Sequence, residues 1–150
     1  MRARPRRAAP ALGVLVAALP VLFGASPIGT WRALVDPVLR ATQASGVDGL
    51  LLARVLAVRG ALRRHEGARA GVEDLVRALG TIRALPSRAG ERAREVARAE
   101  ADVLVELGRA LADAGEGADA LEHFERALAL AERGGDLLRQ ANGWWRPIAR

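Results

Sequence analysis

LVELGRALADAGEGADALEHFERAL, residues 104–128, decides the fold. Apolar residues recur at helical spacing on both sides of Gly115-Glu116-Gly117, so the stretch holds two amphipathic runs joined by a glycine-rich turn. Small residues stand at Gly108 in the first run and at Ala120 and Ala127 in the second. Two helices approach closely only where side chains are small. The spacing therefore predicts an antiparallel hairpin packed through Gly108, Ala120, Phe124 and Ala127, and leucine in place of Gly108 is expected to break the pair apart.

The pattern Leu104-x2-Leu107-Gly108-x2-Leu111, followed by Ala120-x3-Phe124 and Ala127, resembles the tetratricopeptide repeat. That resemblance implies an all-α protein, with antiparallel helical hairpins stacked as a short α-solenoid that binds other proteins and performs no chemistry. Leu104 and Leu111 replace the family's aromatics as apolar plugs. Glu132 stands near the usual proline, so the second helix is expected to run on to Gly134-Gly135. A more divergent unit precedes it. Leu56, Gly60 and Gly67 align with Leu104, Gly108 and Gly115 at an offset of 48, and Val72 to Leu79 align with Leu121 to Leu128 at an offset of 49. The slip falls in the turn, where length is free to vary. Arg59 takes the place of Leu107, which weakens the expected core packing there. In the family the first helix of each unit lines a concave face. By matching register, this resemblance implies a face for a peptide or helix of another protein made by Arg54, Ala57, Ala61 and Arg64 with Asp102, Val105, Arg109 and Asp113. The mixed charge lacks the basic and amide set with which some family members clamp a terminal carboxylate.

Composition points the same way. Of the 150 residues 51% are hydrophobic but only 3% are aromatic, and alanine supplies much of the remainder, which favours helix over strand. Cysteine and lysine are both absent, which removes disulfides, thiolate metal sites, the phosphate-loop lysine and Schiff-base chemistry. The net charge of +6 invites a nucleic-acid reading, yet residues 1–45 carry +5 of it and the rest only +1, with both signs mixed along the helices. That is a solvated surface, and no specific nucleic-acid partner is expected.

In chain order, residues 1–28 open with four arginines and continue as an uncharged apolar run from Ala8 to Ile28. Such a stretch reads as an export signal or membrane anchor, with an anchor favoured, and otherwise as an apolar N-terminal helix packed on the domain. Membrane-anchored or exported is the expected location, with the cytoplasm as the alternative. Residues 31–44 form a short helix with a break expected at Asp36-Pro37, and Trp31 suits either a membrane interface or a buried contact. Residues 47–86 hold the first hairpin, its leading helix spanning 47–64 with Leu51, Val55, Val58 and Leu62 on the apolar side. Residues 87–134 hold the second, with Ser87 as the expected N-cap of a long helix from about Arg88 to Ala114, roughly 40 Å at 1.5 Å per residue. The first half of that helix has only Val96 as a large apolar residue, so it is expected to project into solvent or to cover the preceding hairpin. Residues 136–150 begin like a further first helix and then meet Trp144-Trp145-Arg146-Pro147, which serve either as a cap or as a patch for a partner, self-association included.

The residues of catalysis are sparse. His65 and His123 lack a second histidine or carboxylate pair at ligand spacing, so no metal is expected. Glu122 and Glu125 are acids on a solvated helix. Ser26, Ser45 and Ser87 stand outside any nucleophile motif, and the Gly-rich turns follow no strand. A non-enzymatic adaptor without cofactor is the expected function. The alternative is a structural segment of a larger helical array, like those attached to bacterial signalling ATPases and transcription regulators, which the style of residues 127–136 resembles.

Overall fold

Runs of alanine, leucine and arginine with few β-branched residues leave helix as the only regular structure among the described residues. A computed structural model describes residues 13–14, 31–44, 46, 48–86 and 89–134. They form five α-helices: α1 (Trp31–Ala44), α2 (Gly49–Arg63), α3 (Val72–Arg83), α4 (Glu91–Asp113) and α5 (Gly117–Gly134), with a 3-10 turn at Arg64–Glu66 extending α2. The apolar run of residues 8–28, apart from Gly13 and Val14, lies outside the described residues, as do Ser87, residues 136–150 and the side chain of Trp31. No described helix is long and apolar enough to cross a membrane.

Gly49 at the start of α2 faces Thr81 and Leu85 at the end of α3, whereas Gly60 near the end of α2 faces Gly71 and Leu75, so α2 and α3 are antiparallel. The α4–α5 pair is antiparallel likewise, joined by residues 114–116. Gly115 there takes φ +82. The Glu116 N–H donates to the Leu111 carbonyl at 2.9 Å and the Gly115 N–H to the Ala112 carbonyl at 3.0 Å, which satisfies two carbonyls at the end of α4. Each hairpin sets a glycine of its first helix against a large apolar side chain of its second. Gly60 lies under Leu75 and Gly108 under the Phe124 ring, each so close that a methyl group would meet atoms 2.7 Å away. The core runs through both hairpins and α1: Leu50, Leu56, Leu75 and Leu104 are almost wholly enclosed, and Ala53, Ala78 and Ala110 supply the small partners.

Three local expectations are corrected. Helix α1 continues through Pro37 without a break at Asp36-Pro37. An interior proline costs about 3 kcal/mol, but Val35, Val38 and Leu39 are buried against the core, and burying each such side chain contributes about 1.5–3 kcal/mol. On α2 the best-buried residues are Leu50, Ala53, Val55, Leu56 and Gly60, while Leu51, Val58 and Leu62 are only half-buried. This helix has α1, α3 and α4 around it, so its buried surface is wider than a single stripe. Helix α4 starts at Glu91 rather than Arg88, because Gly90 takes φ +76 and interrupts the helical backbone just before it.

The first half of α4 lies over the preceding hairpin instead of projecting into solvent. Arg92 bonds Asp48, Arg54 reaches Glu95 at 3.1 Å, and Arg83 reaches Glu100 at 3.1 Å. Ala99 and Ala101 are buried, and their small side chains permit the close approach. Asp48 has a second task, since its carboxylate accepts the Leu50 N–H at 3.3 Å as the N-cap of α2. Its partial burial acts to raise the pKa. The hydrogen bonds and charge of Arg92, the Leu50 N–H and nearby Arg54 outweigh that and hold it below the ordinary 3.8. A carboxylate with a lowered pKa stabilises the fold above its unfolded value and loses that contribution as pH falls through the folded one. Asp48→Ala is therefore expected to cost about 1 kcal/mol at neutral pH, the usual worth of a cap. In urea melts at successive pH values the gap from wild type should close as pH drops below 3.8; a gap that persists in acid would rule out the ionised cap as its source.

Candidate binding face

Helices α2 and α4 lie side by side and parallel, since Arg54 pairs with Glu95, and further along both helices Arg64, in the turn extending α2, pairs with Glu106. This juxtaposition brings the two sets of expected face residues together. Arg64 joins Asp113 at 3.1 Å and Glu106 at 3.4 Å. Ala57 and Val105 are half-buried and packed on the core, and Ala61 is half-buried further along α2. Arg109 bonds Glu106 of its own helix at 2.8 Å, one turn away. Arg54 donates to Glu95. Ala57, Ala61 and Val105 are thus partly exposed on helices joined by a ladder of alternating charges.

Asp102 differs from its neighbours. The residue as a whole is exposed, yet the crowding of protein around its carboxylate raises the pKa above the ordinary 3.8; Arg54 opposes the shift and the like charge of Glu106 adds to it. Residues 95 and 106 were missed by the register transferred from the resemblance, although both belong to the ladder. Glu106 could have been found by helical spacing alone, four residues after Asp102 and three before Arg109.

The packing residues of the second hairpin are also assembled. Gly108, Ala120 and Ala127 are buried, with Phe124 half-buried across Gly108. In the first hairpin Arg59, placed where apolar packing was expected to be weak, forms an ion cluster. Its Nε and Nη2 donate to the two carboxylate oxygens of Asp74 at 2.8 and 2.6 Å, and Nη1 reaches Asp36 at 3.4 Å. Arg63 adds a contact to Asp74 at 3.4 Å. Asp74 is 1% exposed and sits in the first turn of α3, where the helix dipole also favours a negative charge. The Asp74 hydrogen bonds, helped by the charges of Asp74 and Asp36 and opposed by burial, raise the pKa of Arg59. One guanidinium thereby ties α1, α2 and α3 together.

The His123 ring hydrogen-bonds through Nδ1 with the Asp119 carbonyl at 2.7 Å, and His65 is exposed in the 3-10 turn. Among the described residues no cluster of three or more histidines and carboxylates is placed to hold a metal ion. A cleft of about 240 Å³ between the start of α4 and the end of α5 has a floor of Ala93, Ala97 and Leu130 and a rim of arginines, without a paired acid and base. No protein-family model, no curated protein and no solved structure matches this chain.

Proposed function

We propose that this protein is a non-catalytic, tetratricopeptide-like scaffold that binds a peptide or helix of another protein across the α2–α4 face. The observation that carries the reading is the parallel placement of α2 and α4. Arg64 pairs with Asp113 and Glu106 across the two helices and Arg54 with Glu95, which supports a shared face of Arg54, Ala57, Ala61 and Arg64 with Asp102, Val105, Arg109 and Asp113. The paired glycine contacts, Gly60 under Leu75 and Gly108 under Phe124, support a common plan for the two hairpins. In this reading the small side chains allow close approach of a ligand, and the neighbouring charges give it orientation and selectivity more than affinity. No cofactor enters this function.

Affinity capture with the full chain and its Arg109→Glu variant tests the reading. The wild-type chain is expected to retain a specific protein that the variant loses, with the helical circular dichroism of the two unchanged. Identical capture profiles would remove the face from consideration.

A further inference from the structure

The outer side of α5 carries a stripe whose two leucines are exposed where their counterparts in the first hairpin are covered. Leu121, Glu125, Leu128 and Glu132 follow one another by four, three and four residues, so they share one side of the helix. All four are exposed, the leucines at 57% and 52%. At the offset of 49 that matches Phe124 to Leu75, the two leucines correspond to Val72 and Leu79 of α3. There the outcome is opposite. Leu79 is 7% exposed and Val72 is half-buried against the core. Helix α4 packs on α3, with Arg83 bonded to Glu100 at 3.1 Å, and the Arg69–Glu116 pair joins the turns that precede α3 and follow α4. The two leucine positions are thus covered in the first hairpin and exposed in the second, while Val76, which matches Glu125, is itself 53% exposed.

Charge identifies what would cover it. Arg83, one turn beyond Leu79, takes a glutamate from α4; the matching position on α5 is Glu132, and Glu125 lies two turns before it. A helix laid along α5 as α4 lies along α3 must therefore bring arginine or lysine to these positions. Helix α4 of a second copy would place its own Glu100 against Glu132, which opposes head-to-tail stacking of this chain. We propose that the Leu121–Glu125–Leu128–Glu132 stripe is a docking surface for a basic amphipathic helix of another protein, separate from the α2–α4 face. Two leucines enter the partner's apolar side and two glutamates pair with its flanking cations.

The test uses the full chain and a fluorescent synthetic helix of about 20 residues, with leucines at a, d and e positions and arginines beside them. A second peptide has every arginine replaced by glutamate. Saturable binding of the arginine peptide alone is expected by fluorescence anisotropy. Leu121→Ser and Leu128→Ser should each weaken it about tenfold, the order of effect for removing one buried leucine. Glu125→Arg combined with Glu132→Arg should transfer the preference to the glutamate peptide. All four side chains are exposed, so these variants are expected to keep the wild-type circular dichroism. Equal binding of both peptides, an affinity unmoved by Leu128→Ser, or absence of saturable binding would overturn the proposal. So would a chain that sediments as a dimer and becomes monomeric with Leu121→Ser, because the occupant would then be a second copy.

Discussion

Gly71→Ala is expected to be among the most damaging single-methyl additions in this protein. The new Cβ would stand 1.9 Å from the carbonyl oxygen of Gly60 and 2.8 Å from its carbonyl carbon. Both are backbone atoms of α2, so relief requires α2 and α3 to separate. Gly71 has φ −93 and ψ −12, a conformation open to alanine, which leaves sterics as the cause. Overpacking a well-filled site costs about 1–3 kcal/mol, and a clash with rigid backbone places this substitution at about 3 kcal/mol or above. Gly80→Ala is the control within the same helix. Nothing lies within 4 Å of its added Cβ, so the substitution should instead stabilise α3 by about 0.5–1 kcal/mol. Urea denaturation would show opposite shifts of the midpoint for the two variants, and a neutral Gly71→Ala would mean that the hairpin does not close at this point. Gly108→Ala should cost less than Gly71→Ala. Its nearest atoms belong to the edge of the Phe124 ring, which is half-exposed and can turn aside.

Arg59→Met is the second substitution with a large expected cost. It leaves Asp74 in the interior with Arg63 at 3.4 Å in place of two short hydrogen bonds. Leaving one member of a buried pair uncompensated costs about 3–5 kcal/mol. The lower end applies here because Arg63 remains. Asp74→Leu should be milder, since Arg59 keeps Asp36 and its side chain is 19% exposed, enough to reach water. Arg59→Met combined with Asp74→Leu removes both charges together. Its stability is expected within about 1 kcal/mol of wild type, because a buried ion pair returns little more than its desolvation cost. A double-mutant cycle measured by urea denaturation reads the coupling directly. A fully additive cycle would show that the pair is not coupled in solution.

These two sites mark the limit of what was legible along the chain. Gly108, Ala120, Phe124 and Ala127 were readable as packing residues because their spacing within each helix is local, and the turn at Gly115 was readable because a positive φ favours glycine. Gly71 was passed over in favour of Gly67 as the turn, since only the folded hairpin reveals which glycine touches backbone. Arg59 looked like a defect in an apolar stripe. Its partner Asp74 is 15 residues away and indistinguishable in sequence from any acid in a first helical turn.

The sequence by itself determined the all-helical character of the described residues, the hairpin turn at Gly115 and the lack of cysteine and lysine chemistry, because these depend on residue type and on intervals of three or four. Tertiary structure decided the unbroken path of α1 through Pro37, the start of α4 at Glu91, the buried Arg59–Asp74 pair and the alignment of α2 with α4. Each depends on contacts between residues far apart in the chain, or on burial that outweighs a local preference. No local period encodes either.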